Sequence, residues 1–360
     1  MRQCFGCVIF YSYFCSMITP IIAQEKIDQL GLTLLQYDNI VITSHVSPDG
    51  DAIGSALGMY HYLRKLHKNV TVVMPDMAPR NLQFLSGVYS IVVYTQQPEK
   101  AFTTIANAGL IICLDFNALH RIDKLSAAVA DAKAYKVMID HHLEPEPFCN
   151  LVISHPEISS TCELVFRVIW QMGQYRMMSR HSAEAIYTGM MTDTGNFTYN
   201  SNHPEIYEIV ALLVRKGIDK DNIYNLACNT QSANKLMLNS YALCNKLEVF
   251  PEYKAALVYL TQEEMSRYKF QKGDCDGLVN VPLSIKGIIF STFIREDREF
   301  VKISMRSQGD FAVNTIAAEH FGGGGHLNAA GGEFYGTLEE ALEKFRAILP
   351  QYCGVEENKQ

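Results

Sequence analysis

Three short β-rich apolar runs in the first half of this chain stop abruptly at aspartate or histidine, and no other feature restricts the fold as much. Asn39-Ile40-Val41-Ile42-Thr43 leads into His45-Val46-Ser47-Pro48-Asp49-Gly50-Asp51, Leu110-Ile111-Ile112-Cys113-Leu114 ends at Asp115, and Val137-Met138-Ile139 ends in the triplet Asp140-His141-His142. A fourth acidic position, Asp193, lies inside Met191-Thr192-Asp193-Thr194-Gly195. Strands buried on both faces read as near-continuous apolar runs, and an open parallel sheet gathers its functional side chains outside the carboxyl ends of such strands. The four clusters are therefore expected to converge on one crevice.

The wider pattern agrees. From Ala23 to about Gly217 strand and helix signals alternate, as in a parallel sheet with crossover helices. Strands are expected at 39–44, 70–74, 90–94, 109–114, 135–139 and 149–153, and helices at 23–37, 52–66, 160–172, 181–191 and 204–216. Ser160-Thr161-Cys162-Glu163 matches a capping box, and Pro204 and Gly217 bracket the last of these helices. A helical stretch at about 221–248 follows. Strands near 255–260, 287–294 and 300–305, a helix at 311–320, the loop Gly322-Gly323-Gly324-Gly325-His326 and a helix at 338–348 complete a second unit. The expected organisation is an α/β protein: an extension at 1–22, a parallel-sheet domain at 23–218, a helical linker at 219–250 and a smaller α/β domain at 251–350.

Composition sets bounds on the activity. A chain of 360 residues has room for two cores, and a hydrophobic share of 48% with 19% charged residues is that of a globular protein. A net charge of −7 argues against capture of long duplex nucleic acid, which calls for a basic stripe, but not against a small anionic substrate. The ten cysteines are scattered, with only Cys4 and Cys7 in a CxxC, so they read as reduced thiols of a cytoplasmic protein rather than a disulfide framework. Val8–Ile22 is apolar enough for the core of a signal peptide, but Tyr11, Tyr13, Ser16 and Pro20 interrupt it. Residues 1–16 are read as a dispensable extension upstream of the true start, with a cleaved signal as the alternative. No stretch has the length of a membrane span, so no membrane association is expected.

The clusters offer His45, Asp49, Asp51, Asp115, Asp140, His141, His142 and Asp193. That donor set has too many oxygens for a structural zinc site, and carboxylates with two or three imidazoles suit Mn²⁺ foremost, with Mg²⁺ or Co²⁺ as alternatives. So many carboxylates in one crevice repel one another unless cations compensate them, which points to two divalent ions. Taken singly, Asp49-Gly50 would be an ordinary turn, Gly50 would serve an unusual backbone angle, and Asp51 would be an ordinary helix cap. Four such clusters in one alternating unit are not accounted for that way.

These residues resemble the DHH phosphoesterases, the family of RecJ-type exonucleases, family II inorganic pyrophosphatases and the nanoRNase/pAp-phosphatase group. The segments VITSHVSPDGDAIGS (41–55), CLDF (113–116), IDHH (139–142) and TDTGNF (192–197) are similar to its four motifs in order, and KISMRS (302–307) with FGGGGHLNAAGG (321–332) is similar to the DHHA1 domain that accompanies the nanoRNase group. The resemblance implies a DHH catalytic domain followed by a DHHA1 substrate-binding domain. It implies one metal on His45, Asp49 and Asp115 and another on Asp51, Asp115, His141 and Asp193, with Asp115 bridging and a metal-bound hydroxide attacking phosphorus. His142 is then free to touch the substrate phosphate, and Asp140 to orient an imidazole.

In the second unit Arg306 and Ser307 end a strand, where they could grip a phosphate. Gly323, Gly324 and Gly325 offer unhindered backbone N–H groups, and His326 a donor. Arg295 could be a second basic contact, but a solvated turn fits it at least as well. Ser159, Ser160 and Thr161 could line a substrate channel, with helix capping near the sheet edge the preferred reading, and His120 and Arg121 could approach a phosphate, though a polar surface helix explains them as well. The expected function is two-metal hydrolysis of short oligoribonucleotides, 3′-phosphoadenosine 5′-phosphate (pAp) or both. The expected substrates are short single-stranded RNA and small nucleotides, and a homodimer is left open. A rival is a phosphodiesterase of cyclic or linear dinucleotides. A second rival is a non-catalytic nucleotide sensor, which would be expected to have lost a ligand position, and none is missing.

Overall fold

The computed structural model describes residues 18–229 and 231–352, His326 by its backbone only; the reading of residues 1–16 lies outside them, as do the side chain of His326 and the Cys4/Cys7 pair. Two compact units divide the chain, Met1–Thr230 and Gln231–Gln360.

The first unit begins with helix α1 (Gln24–Gln36) and strand β1 (Asn39–Thr43), followed by α2 (Gly50–Lys65), β2 (Asn69–Met74), β3 (Val92–Val93), α3 (Pro98–Ala106), β4 (Leu110–Leu114), α4 (Ser126–Asp131), β5 (Tyr135–Asp140) and β6 (Leu151–Ser154). Helices α5 (Thr161–Gln171), α6 (Arg180–Asp193), α7 (Pro204–Arg215) and α8 (Lys220–Cys228) complete it. The strands are all parallel, in the order β3-β2-β1-β4-β5-β6. The apolar runs are continuous because both faces are covered. Ile40, Ile42, Leu110, Ile112, Leu114, Val137 and Ile139 face the core shared with α1, α2, α5, α6 and α7, whereas Val41, Ile111 and Cys113 face the one shared with α3 and α4. That is the period-2 alternation of a strand read twice.

Strand order reverses between β1 and β4. A doubly wound sheet opens a crevice at such a switch point, beyond the strands' carboxyl ends, and there the chain places His45 and Asp115.

The second unit holds α9 (Ala233–Asn245), β7 (Leu247–Phe250), β8 (Ala255–Leu260), α10 (Gln262–Arg267), β9 (Phe290–Glu296), β10 (Val301–Ser307), α11 (Val313–Phe321), β11 (Gly324–His326), β12 (Ala329–Phe334) and α12 (Leu338–Tyr352). Its mixed sheet has the order β11-β12-β10-β9-β8-β7, with only β8 and β9 parallel. One face packs on α11 and α12, the other on α9, α10 and the turn around Leu278.

Several local expectations change. The run read as a strand at 90–94 keeps only two strand residues, because Val88–Ser90 forms a 3₁₀ turn. Within the stretch read as wholly helical, Leu247–Phe250 is an edge strand pairing with β8. The glycine run is no open loop: Gly322, at φ 58, ends α11, and Gly324–His326 pairs with β12, a strand the sequence reading did not contain. Residues 18–22, assigned by sequence to the extension, put Ile18 and Ile22 into the first unit's core.

Candidate active site

Each sheet-edge turn aims its side chains through a specific local device. After β1 the loop turns at Ser47, whose φ is 49, while its N–H donates to Asp76. Asp49 is the N-cap of α2, accepting from the N–H groups of Asp51 and Ala52 at 3.0 Å each. The helix thus starts at Gly50, not near Ala52, and the cap is Asp49 rather than Asp51. Gly50 corrects a second expectation: it is helical, and a side chain there would run into the Thr192 hydroxyl. Close packing against α6, not an unusual backbone angle, explains that glycine.

Asp115 follows β4 in the left-handed region, at φ 62, with its N–H donating to the Ile139 carbonyl. Its carboxylate lies at the centre of the crevice, Oδ2 at 3.3 Å from His45 Nε2 and Oδ1 at 3.7 Å from His141 Nε2 and 3.8 Å from His142 Nδ1. Asp51 and Asp193 each approach His141 Nε2 to 3.8 Å, and Asp49 approaches His45 Nε2 to 3.9 Å. The candidate ligand atoms form three overlapping groups, His45/Asp49/Asp115, Asp51/His141/Asp193 and Asp115/His141/His142, each within 4.8 Å.

The imidazoles are already oriented. His45 Nδ1 lies 2.8 Å from the Val46 carbonyl and His141 Nδ1 lies 3.2 Å from the Ile158 carbonyl. A carbonyl only accepts, so each Nδ1 carries a proton, and in the neutral ring Nε2 presents its lone pair to the carboxylates. Asp140, fully buried, accepts from His142 Nδ1 at 2.8 Å and from the His142 N–H at 3.1 Å.

The charges are frustrated without cations. Burial pushes Asp51 well above the usual carboxylate range, reinforced by the charges of Asp115, Asp193 and Asp49. Burial likewise pushes Asp193 up to about 6, with Asp115 and Asp49 adding to it. Asp115 goes the other way: burial opposes its ionisation, but the bond to His45 and the charges of the three histidines hold it low. For His45, burial favours the neutral ring, yet Asp115 and Asp49 raise it. Clustered carboxylates beside imidazoles with inward lone pairs form a donor set that fits divalent cations.

One part of the site was not legible as such. Ser160 caps α5, accepting from the Glu163 N–H, whereas Thr161 turns inward: its hydroxyl donates to Asp115 Oδ1 at 2.9 Å and its N–H to Asp51 Oδ2 at 2.6 Å. The Cys162 N–H donates to Asp51 Oδ1 at 2.8 Å. Glu163 does not close a capping box; it binds the Ser159 N–H and hydroxyl, and its other oxygen binds Arg167, itself buried and tied to Glu205 and the Thr19 carbonyl. The Ser-Ser-Thr run before an apolar helix is the available signal, and capping is its preferred reading from sequence. His120 is exposed, whereas Arg295 is no solvated turn residue: it lies in β9, mostly buried, paired with Asp297 and set over the Phe270 ring.

In the second unit, Arg306 and Ser307 do not form a joint grip, because neighbours in a strand face opposite ways. Ser307 points to the buried face, donating to the Phe311 carbonyl and accepting from Asn328, while the half-buried Arg306 donates to the Met305 carbonyl. The Gly323 N–H is taken by the Ala317 carbonyl, and any side chain there would strike Gly331 of β12. Gly324 and Gly325 lie in edge strand β11, where alternate N–H groups point away from the sheet. Cross-strand register sets Arg306 opposite Ala329, and Ala329 opposite His326.

A doubly wound sheet with an acid and histidine cluster at its switch point defines a class of hydrolase, and comparison with known proteins makes it specific. The description "DHH family, N-terminal domain" matches residues 39–190 and "DHHA1 domain" matches residues 254–354. The bifunctional oligoribonuclease and PAP phosphatase NrnA of Thermus thermophilus is 30% identical over 310 residues, 85% of this chain and 87% of the relative. The crystal structure of an exopolyphosphatase-related protein from Bacteroides fragilis superposes with a TM-score of 0.91 at 54% identity, over 93% of this chain and 98% of that one. The cyclic-di-AMP phosphodiesterase GdpP of Geobacillus thermodenitrificans is 27% identical over 89% of this chain, which spans 48% of that protein. This chain belongs to the DHH family, hydrolases of phosphoester bonds, and its second unit is a DHHA1 domain. Among the described residues no helix is long and apolar enough to cross a membrane.

Proposed function

We propose that this protein is a two-cation phosphoesterase that hydrolyses short oligoribonucleotides and pAp. The observation that carries the reading is the overlap of three possible ligand groups through Asp115 and His141, which supports two adjacent cation positions rather than one. His45, Asp49 and Asp115 would hold one cation, and Asp51, Asp115, His141 and Asp193 the other, with Mn²⁺ suited to the mixed oxygen and nitrogen donors. Two divalent cations there supply activation of water at neutral pH and neutralisation of charge on the reacting phosphate.

The chain's own residues do the rest. Asp140 accepts the Nδ1–H of His142, so Nε2 is the nitrogen left to face substrate, and it donates to a phosphate oxygen when the ring carries both protons. In the DHHA1 unit Arg306, the one N–H group that the Gly324-Gly325 edge turns away from the sheet, and His326 are the groups we assign to substrate phosphate. The similarity to an NrnA over nearly its full length supports pAp and short RNA. The similarity to GdpP supports a second reading, cleavage of cyclic dinucleotides.

One panel separates them: product release from pAp, a ribodinucleotide and a cyclic dinucleotide, each with Mn²⁺, Mg²⁺ or chelator. Turnover of the first two, lost on chelation and restored by Mn²⁺, is expected. Undiminished activity in chelator would overturn the two-cation reading, and preference for the cyclic substrate would move the assignment to the second.

A further inference from the structure

We propose that Thr161 is a positioning residue of the reaction, a hydroxyl that fixes the carboxylate shared by the two cation positions. The inference rests on the proposed two-cation function.

Thr161 is fully buried and touches one carboxylate from each half of the cluster. Its hydroxyl donates to Asp115 Oδ1 at 2.9 Å, and its N–H donates to Asp51 Oδ2 at 2.6 Å. Capping does not account for the hydroxyl, since Ser160 satisfies the helix start. Donation to Oδ1 occupies one of that oxygen's lone pairs and stops the carboxylate from rotating. Oδ2 is then held toward His45, at 3.3 Å, and Oδ1 toward His141, at 3.7 Å, so the two oxygens are allotted to the two sides of the site. Asp115 needs such a hold, because a turn residue at φ 62 directly after β4 has no helix or strand beyond it to fix its side chain.

The element carrying Thr161 is anchored from behind. Glu163 binds the Ser159 hydroxyl with one oxygen and Arg167 with the other, and Arg167 reaches Glu205 at 2.8 Å. That buried chain keeps the start of α5 from receding when the carboxylates repel one another.

The test is calorimetric titration of Mn²⁺ into chelator-stripped protein, with kcat and KM for a ribodinucleotide at saturating Mn²⁺, for the parent, Thr161→Val and Thr161→Ser. Outer contacts that orient ligands typically carry about 10- to 100-fold in metal affinity, so Thr161→Val should weaken Mn²⁺ by about that much and lower kcat with KM little changed. Thr161→Ser, which keeps the hydroxyl, should restore both. Mn²⁺ affinity in Thr161→Val equal to the parent would overturn the inference. So would Thr161→Ser as weak as Thr161→Val, which would show that keeping the hydroxyl does not restore the site. If Thr161→Val does not fold by circular dichroism, Thr161→Ala against Thr161→Ser, differing only by the hydroxyl, decides the same question. A parent that binds no Mn²⁺ would instead sink the two-cation function itself, a result read before any variant.

Discussion

Asp115 concentrates the problem that this site solves. Repulsion among carboxylates, read from sequence, leads one to expect that removing Asp115 stabilises the metal-free fold. Against that repulsion, which Asp51 and Asp193 feel, the histidines and the Thr161 hydroxyl favour the ionised Asp115 in the folded state. Asp115→Ala should abolish turnover, and it should also cost the metal-free protein about 1–3 kcal/mol, by stranding the Thr161 hydroxyl and leaving alanine in a left-handed turn. Urea unfolding of chelator-treated protein measures this, and a gain in stability would contradict the account. Asp193 carries the opposite sign. Its folded pKa, about 6, lies above that of an unfolded aspartate, so the protonated form is the one the fold favours. The stability it contributes is present in acid and lost as pH rises through about 6. Metal-free parent and Asp193→Asn should therefore unfold alike near pH 4, and by about pH 7 the variant should be the more stable. Parallel pH profiles would show that Asp193 is not strained.

Helices α2 and α6 set the distance between Asp51 and Asp193, and glycines let them approach. A methyl group at Gly54 would stand 2.6 Å from the Ala185 carbonyl oxygen and 2.9 Å from Cys162 Sγ, and one at Gly58 would stand 2.6 Å from Ile186. The obstacle at Gly54 is backbone, which cannot swing aside. Gly54→Ala should destabilise by about 1–3 kcal/mol despite the better helix propensity of alanine, and should weaken Mn²⁺ binding because Asp51 lies one turn away. Thermal unfolding with and without Mn²⁺ checks both effects. An unchanged or higher midpoint would mean that the seam has slack.

Across the whole molecule, the proposal assigns cation binding to the first unit and phosphate grip to the second. Arg306→Ala should raise KM for pAp and a ribodinucleotide by roughly 10- to 100-fold, the value of a charge-assisted hydrogen bond of about 1.5–3 kcal/mol. Mn²⁺ stoichiometry should stay that of the parent, since Arg306 belongs to none of the three ligand groups. Loss of bound Mn²⁺, or hydrolysis of both substrates at the parental rate and KM, would break this division of labour.

The sequence by itself determined the parallel α/β unit, the four clusters and the family resemblance, because both-face burial leaves continuous apolar runs and the ligands sit at their ends in chain order. It also marked the second domain through KISMRS and the glycine run. Only the tertiary structure decided what those residues meet. That Gly50 is there for Thr192, that Asp49 rather than Asp51 caps α2, and that β11 is a strand made possible by the bare backbone of β12 all depend on neighbours far away in sequence. Ser307 turned inward for the same reason: which face of a strand is buried is fixed by the helices laid against it, not by the strand's own residues. Thr161 shows the limit most clearly. Ser-Ser-Thr before an apolar helix reads as capping, and only the approach of β4 and α2 to the start of α5 turns one of the three hydroxyls into a partner of Asp115. Spacing along a chain encodes the elements, whereas the partner of a buried polar group is chosen by packing.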